Sequence, residues 1–147
     1  ESLEKNKKYT VSPKINYALD DFYGGYADVK RTNETIGNMY RKHGYLMDTH
    51  TAVASAVYKE YKDRTGDETK TVIASTASPY KFATSVMTAI DAKYEGMDDF
   101  ALIDELSKVS GVSIPQAVEE IRSAPVLHDT VCETADMQKT VETILGL

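Results

Sequence analysis

The chain has 147 residues, with 17 Lys and Arg against 23 Asp and Glu, for a formal net charge of -6. That length allows one domain with a real core, and the acidic balance disfavours a nucleic-acid partner, which needs clustered cations. No apolar run approaches the ~18–20 residues of a membrane span, and no secretory pattern opens the chain. The single Cys132 leaves no internal disulfide framework, so the expected compartment is the cytoplasm.

In chain order, Ser12-Pro13 reads as an N-cap followed by Pro at the first helical position, and Ile15, Ala18, Leu19 and Phe22 then keep helical spacing. Gly24-Gly25 stops that helix. Thr32 is a candidate cap for the next, with a stripe of Ile36, Met39 and Tyr40 and Gly44 past its end. The apolar run Tyr45-Leu46-Met47 precedes Asp48-Thr49-His50, where Asp48 and Thr49 can both cap a long helix running to Arg64. Val53, Ala56, Val57, Glu60 and Tyr61 lie along one side of it.

Val72–Ser75 carries the apolar run of a strand covered on both faces, and Pro79 opens a helix running to Asp91. Beyond it, Leu102, Ile103, Leu106 and Val109 form a helical stripe ended by Gly111. Ser113 with Gln116 reads as a capping box for a helix holding Ala117, Val118 and Ile121. Val126-Leu127-His128 can be extended. Thr134 begins a last helix with Met137, Val141, Ile144 and Leu145. The expectation is a mainly helical α/β fragment, with about seven helices and one or two short strands. A lone strand cannot satisfy its own backbone groups, so its sheet must be completed by residues outside this chain or by another chain.

Four clusters can carry chemistry. Ser75, Thr76 and Ser78 stand where a strand end meets a helix start, a place where α/β folds bind ligands; the same hydroxyls are also good cap residues. His50 carries an imidazole, the side chain suited to general acid or base work, or it can pack and cap. Gly24-Gly25 lets backbone approach a phosphate, or simply ends a helix. Lys81, flanked by Tyr80 and Phe82, can be desolvated into a nucleophile or extend into solvent. Cys132 has Glu133 and Asp129 nearby, which discourages the thiolate. No metal-ligand spacing of His or Cys occurs, and no metal is expected.

Gly44-Tyr45-Leu46-Met47-Asp48-Thr49-His50-Thr51-Ala52-Val53-Ala54 resembles the "GY-x-x-D-P-H-T-A-V-A" segment of bacterial threonine synthases. Ala74-Ser75-Thr76-Ala77-Ser78-Pro79-Tyr80-Lys81-Phe82 is similar to their "STA-[HS]-P-x-KF" segment, and Phe22-Tyr23-Gly24-Gly25-Tyr26-Ala27-Asp28 to their "F-x-x-GYAD". The order and spacing of the three agree, and the tail from Gly111 to Pro115 with Pro125-Val126 is similar too. Thr49 stands where the family often has Pro, which alters a turn before a helix.

The resemblance implies the C-terminal part of a PLP fold type II enzyme, of the tryptophan synthase β type, with residues 1–147 forming a single partial domain. Such enzymes convert O-phosphohomoserine and water to threonine and phosphate: a proton is removed, phosphate leaves the γ carbon and water adds at the β carbon. The lysine that holds pyridoxal 5'-phosphate belongs to an earlier "FKD"-type segment, and the phosphate loop is earlier still. Neither is found here, so no catalytic residue is assigned to this chain and Lys81 is not that lysine.

Carried over by position, Thr76 resembles the hydroxyl residue that bonds the pyridine nitrogen of PLP. Ser75 and Ala77 line the same wall as cofactor-binding residues, and Ser78, Lys81, His50 and Asp48 are candidates near substrate. The implied partner is the N-terminal remainder of the same enzyme, with self-association through the exposed strand when that remainder is missing. A serine or threonine dehydratase of the same fold, or an independent helical interaction module, are the competing readings.

Overall fold

Asp and Ser at the caps and glycines at the ends cut this chain into helices. In the computed structural model, which describes residues 1–147, these are α1 (Ser2–Asn6), α2 (Pro13–Ala18), α3 (Val29–His43), α4 (Thr49–Thr65), α5 (Ala83–Ile90), α6 (Asp99–Ser110), α7 (Gln116–Ser123) and α8 (Met137–Leu145). Short 3₁₀ turns occupy Pro79–Phe82, Ala92–Tyr94 and Thr134–Asp136. Gly44 (φ 65°) and Gly66 (φ 71°) end α3 and α4 in the left-handed region, where a side chain is strained. No helix is long and apolar enough to cross a membrane.

The chain divides into two compact units, Glu1–Pro115 and Gln116–Leu147. In the first, α3 packs on α4 and α5, and α5 packs on α6. Ile36, Ala52, Val86, Met87, Leu102 and Leu106 fill the space between these helices. Leu46 and Met47 are also buried, and they lead directly into the start of α4. In the second unit, α7 and α8 bury no residue.

Two side-chain ties set α3 against α4. Arg31 pairs with Glu60, and its Nη2 donates to the Ala56 carbonyl at 2.7 Å. Ahead of α3, Tyr23 lies against α4: its ring is 5.1 Å from that of Tyr61, and the Arg64 guanidinium is 4.6 Å from its centroid. Gly25 fits there because a Cβ would meet the Val57 side chain at 2.7 Å.

Several expectations from the sequence are corrected. There is no strand and no sheet, so the one or two short strands are replaced by an irregular segment, and the fold is helical. Val72 is 95% exposed, the opposite of a strand covered on both faces. A strand exists only through ladder partners, and no segment of this chain pairs with it. The cap of α3 is Asp28, not Thr32: Asp28 accepts from the Arg31 amide at 2.8 Å. Thr32 lies inside the helix, where its hydroxyl donates to the Asp28 carbonyl.

Pro79 opens a 3₁₀ turn, and α5 proper begins only at Ala83. Helix α7 begins at Gln116, whose side-chain amide donates to Glu120 within the helix.

Helices α3 and α5 approach closely at Gly37, where a Cβ would lie 2.6 Å from the Ala89 carbonyl oxygen of α5. Helix propensity alone would make Gly37→Ala stabilising by about 1 kcal/mol. Overpacking costs about 1–3 kcal/mol, and here the clash is with backbone, which cannot rotate aside, so the steric cost outweighs the propensity gain. We expect G37A to lower the urea midpoint, and G24A, whose Cβ would meet nothing within 4 Å, to leave it unchanged. A G37A chain as stable as the parent would refute this account of the α3–α5 contact.

Candidate functional site

The start of α4 is built around a buried carboxylate. Asp48 is 1% exposed and is the helix N-cap. Its Oδ1 accepts from the His50 amide at 2.8 Å and from the Thr51 amide at 3.1 Å. Its Oδ2 accepts from the Thr51 hydroxyl. These bonds satisfy amides that a helix start leaves without partners. Burial pushes the Asp48 carboxyl up, but the Thr51 hydroxyl, the two backbone amides and the nearby His50 together hold it below its ordinary value.

The network continues into the hydroxyl turn. Thr51 Oγ1 is 3.2 Å from Ser75 Oγ, bridging 24 positions of sequence. At the other end of the turn, Ser78 accepts from the Tyr80 amide at 3.3 Å. Tyr80 is buried, and its hydroxyl donates to the Val112 carbonyl at 2.5 Å, tying the turn to the loop after α6. Residues 75–80 are therefore held at both ends, with Thr76 and Ala77 between the holds.

The structure sets His50 and Lys81 beside Phe82, and it links His50 to Asp48 and, through Thr51, Asp48 to Ser75. The His50 ring is 5.3 Å from the Phe82 ring, and its Nδ1 is 3.5 Å from Asp48 Oδ1. Lys81 is exposed, with Nζ 5.6 Å from the Phe82 centroid. Thr76 is exposed, and its hydroxyl makes no hydrogen bond within the chain; Ala77 is half-buried. Asp48 is too enclosed to face a ligand, so its role is to hold others. No group of three or more His, Cys, Asp or Glu gathers where a metal could be held.

Sequence reasoning passed over Thr51. Its signal was the spacing: a residue three places after an N-cap points back at the cap, as in a capping box. Phe82, on which His50 rests, closes the segment similar to "STA-[HS]-P-x-KF" but had no role assigned to it.

Beside the turn runs an open cleft of about 740 Å³, lined by Phe22 and Tyr23 on one side, Val57, Tyr58 and Tyr61 of α4, and the segment Thr71–Ala74. That segment is anchored at its start by Asp67, which accepts from the Thr69 amide at 2.8 Å and from the Tyr61 hydroxyl at 2.8 Å. The bonds from Thr69, and then from Tyr61, hold the Asp67 carboxyl down at about 2.

Both carboxyls are lowered in the fold, so each adds stability above the ordinary Asp value of about 3.9. That stability is lost as pH falls below it, through the lowered folded values: toward about 2 for Asp67. Urea midpoints measured between neutral pH and pH 2 should show this loss. Asp48→Asn, which can still cap a helix about as well as Asp, removes part of the acid slope and lowers the neutral midpoint only by the loss of the charged acceptor. An unchanged slope in D48N would remove Asp48 from this account.

Comparison with known proteins places these residues in a family. A family model described as "Threonine synthase, C-terminal" matches residues 51–144, a span that includes Thr51, the hydroxyl turn and the helices after it. The chain is 27% identical over 141 residues to "Threonine synthase-like 1" of Homo sapiens, covering 95% of this chain and 17% of that protein. It is 28% identical over 123 residues to the Macaca fascicularis protein of the same name, covering 83% of this chain and 14% of the relative. The chain thus spans less than a fifth of the length of these relatives. With more than half of its residues matched, this chain belongs to the threonine synthase C-terminal family.

Proposed function

We propose that this chain is the C-terminal part of a cytoplasmic, PLP-dependent lyase of threonine biosynthesis, which converts O-phosphohomoserine and water to threonine and phosphate. The observation that carries this reading is the free Thr76 hydroxyl, on a turn fixed at both ends within the span the family matches. The donor set fits part of the cofactor. An unprotonated pyridine nitrogen is an acceptor, and a neutral hydroxyl can donate to it without protonating it. A carboxylate there would hold the ring nitrogen protonated.

Bound PLP would supply the electron sink for chemistry at the substrate. The chain's own share is orientation. Thr76 would hold the ring nitrogen, and Ser75, Ala77 and Ser78 would form the wall beside it. His50 and Lys81, both beside Phe82, would meet the polar substrate. The covalent lysine and the phosphate cradle belong to other sections of the whole protein, so this chain by itself turns nothing over.

In the whole protein, Thr76→Val should reduce phosphate release from O-phosphohomoserine and shift the PLP absorption band. Loss of one buried hydroxyl partner is worth about 1–3 kcal/mol, or roughly five- to 150-fold in rate. The chain alone, mixed with PLP and the same substrate, should release no phosphate. A T76V enzyme with unaltered turnover and spectrum, or turnover by the chain alone, overturns the reading.

The same reading gives the open cleft a partner. Sections of the whole protein outside this chain would cover Val72, Ile73 and the outward side of α4. Without them, exposed apolar surface favours self-association. Sedimentation at rising concentration should show the chain associating through this surface. A strict monomer, unchanged by placing a charge at Val72, would count against it.

A further inference from the structure

A count of protons around Asp48 gives the hydroxyl turn a direction. An ionised carboxylate is an acceptor only, and a threonine hydroxyl has one proton. The Thr51 proton goes to Asp48 Oδ2. Thr51 Oγ1 therefore has only lone pairs left for Ser75 Oγ, 3.2 Å away, and Ser75 must be the donor of that bond. The Ser75 proton is thereby used, while that of its neighbour Thr76, which has no partner in the chain, is free.

We propose that Thr51 is a positioning residue that fixes the polarity of Ser75: through it, buried Asp48 makes Ser75 present only lone pairs, beside a Thr76 hydroxyl whose proton no group of the chain takes. The turn then reads an acceptor and a donor side by side. Thr76 suits an acceptor such as an unprotonated ring nitrogen, and Ser75 suits a hydroxyl or ammonium group of the same ligand. The ligand assignment rests on the proposed cofactor role; the relay itself rests on the bonds within this chain. Distance in sequence makes the relay specific. A cap that served only α4 would end at Thr51, whereas here the hydroxyl reaches a segment 24 residues on. The far end of that segment is held independently by Ser78 and Tyr80, so loss of the relay would loosen Ser75 and Thr76 without releasing Tyr80.

Nuclear magnetic resonance on the 147-residue chain tests the relay without any cofactor. Backbone order parameters at Ser75 and Thr76 should fall from the rigid range near about 0.85 to below about 0.6 in Thr51→Val, while α5 keeps its values. Thr51→Ser, which retains the hydroxyl, should restore them. Should T51V unfold the chain, Ser75→Ala breaks the same bond from its exposed end and should loosen the same two residues. Order parameters at Ser75 and Thr76 that stay at the parent's values in S75A overturn the relay, whatever the turn binds. The cofactor reading has its own arm in the whole protein. There, S75A and T76V should each shift the PLP band, and T51S should not. Loosening in the chain together with an unmoved band in both variants overturns the assignment of the ligand and leaves the relay standing.

Discussion

A buried carboxylate with three hydrogen-bond donors is the constraint on which this structure turns. Removing a charge from water costs several kcal/mol unless it is fully partnered. Asp48 meets that condition through two amides and the Thr51 hydroxyl. All three donors come from the first turn of α4, so the charge is stable only where the helix begins at Thr49. The helix in turn carries Ala56 and Glu60 to Arg31 of α3, and Val57 and Tyr61 to the Tyr23–Gly25 segment. The placement of one cap thereby fixes two packing contacts and, through Thr51, the turn at Ser75.

What could be read from the sequence was what is decided locally. Asp48, Ser12, Gly44 and Gly66 act within a turn of their own positions, and each does in the structure what its chemistry suggests. The cap of α3 was expected at Thr32, four residues beyond its place at Asp28. The carboxylate of Asp28 reaches the third helical amide and leaves Thr32 to donate to a carbonyl inside the helix. The strand was misread for a different reason. An apolar run such as Val72-Ile73-Ala74 reports burial, and a strand is a pairing, which depends on residues far away or absent.

The sequence offered candidate residues for a site and not the wiring between them. The hydroxyls at 75, 76 and 78 and the residues Asp48 and His50 were visible as candidates, and the fold joins His50 to Asp48 and, through Thr51, Asp48 to Ser75. What the set does depends on which proton goes where. That is decided by Thr51, a residue whose type says little until its distance to both Asp48 and Ser75 is known. A hydroxyl's role follows from the bonds it has already made, and these are properties of the folded chain.

The same reasoning says why the proposed role requires more than this chain. Thr76 is exposed, and a hydroxyl facing water exchanges one hydrogen bond for another with a net gain of about 0.5–1.5 kcal/mol. The bond strengthens only when water is excluded and the local dielectric falls. Within this chain the turn is oriented but not covered: the cleft beside it is open, and Val72 at its edge is 95% exposed. Orientation is set here by Asp48 and Thr51. Exclusion of water must come from whatever closes over Thr71–Ala74, and a cofactor ring seated against Thr76 would itself supply part of that cover. The proposed division is therefore a physical one: this chain fixes the direction of the hydrogen bond, and the rest of the protein gives that bond its strength.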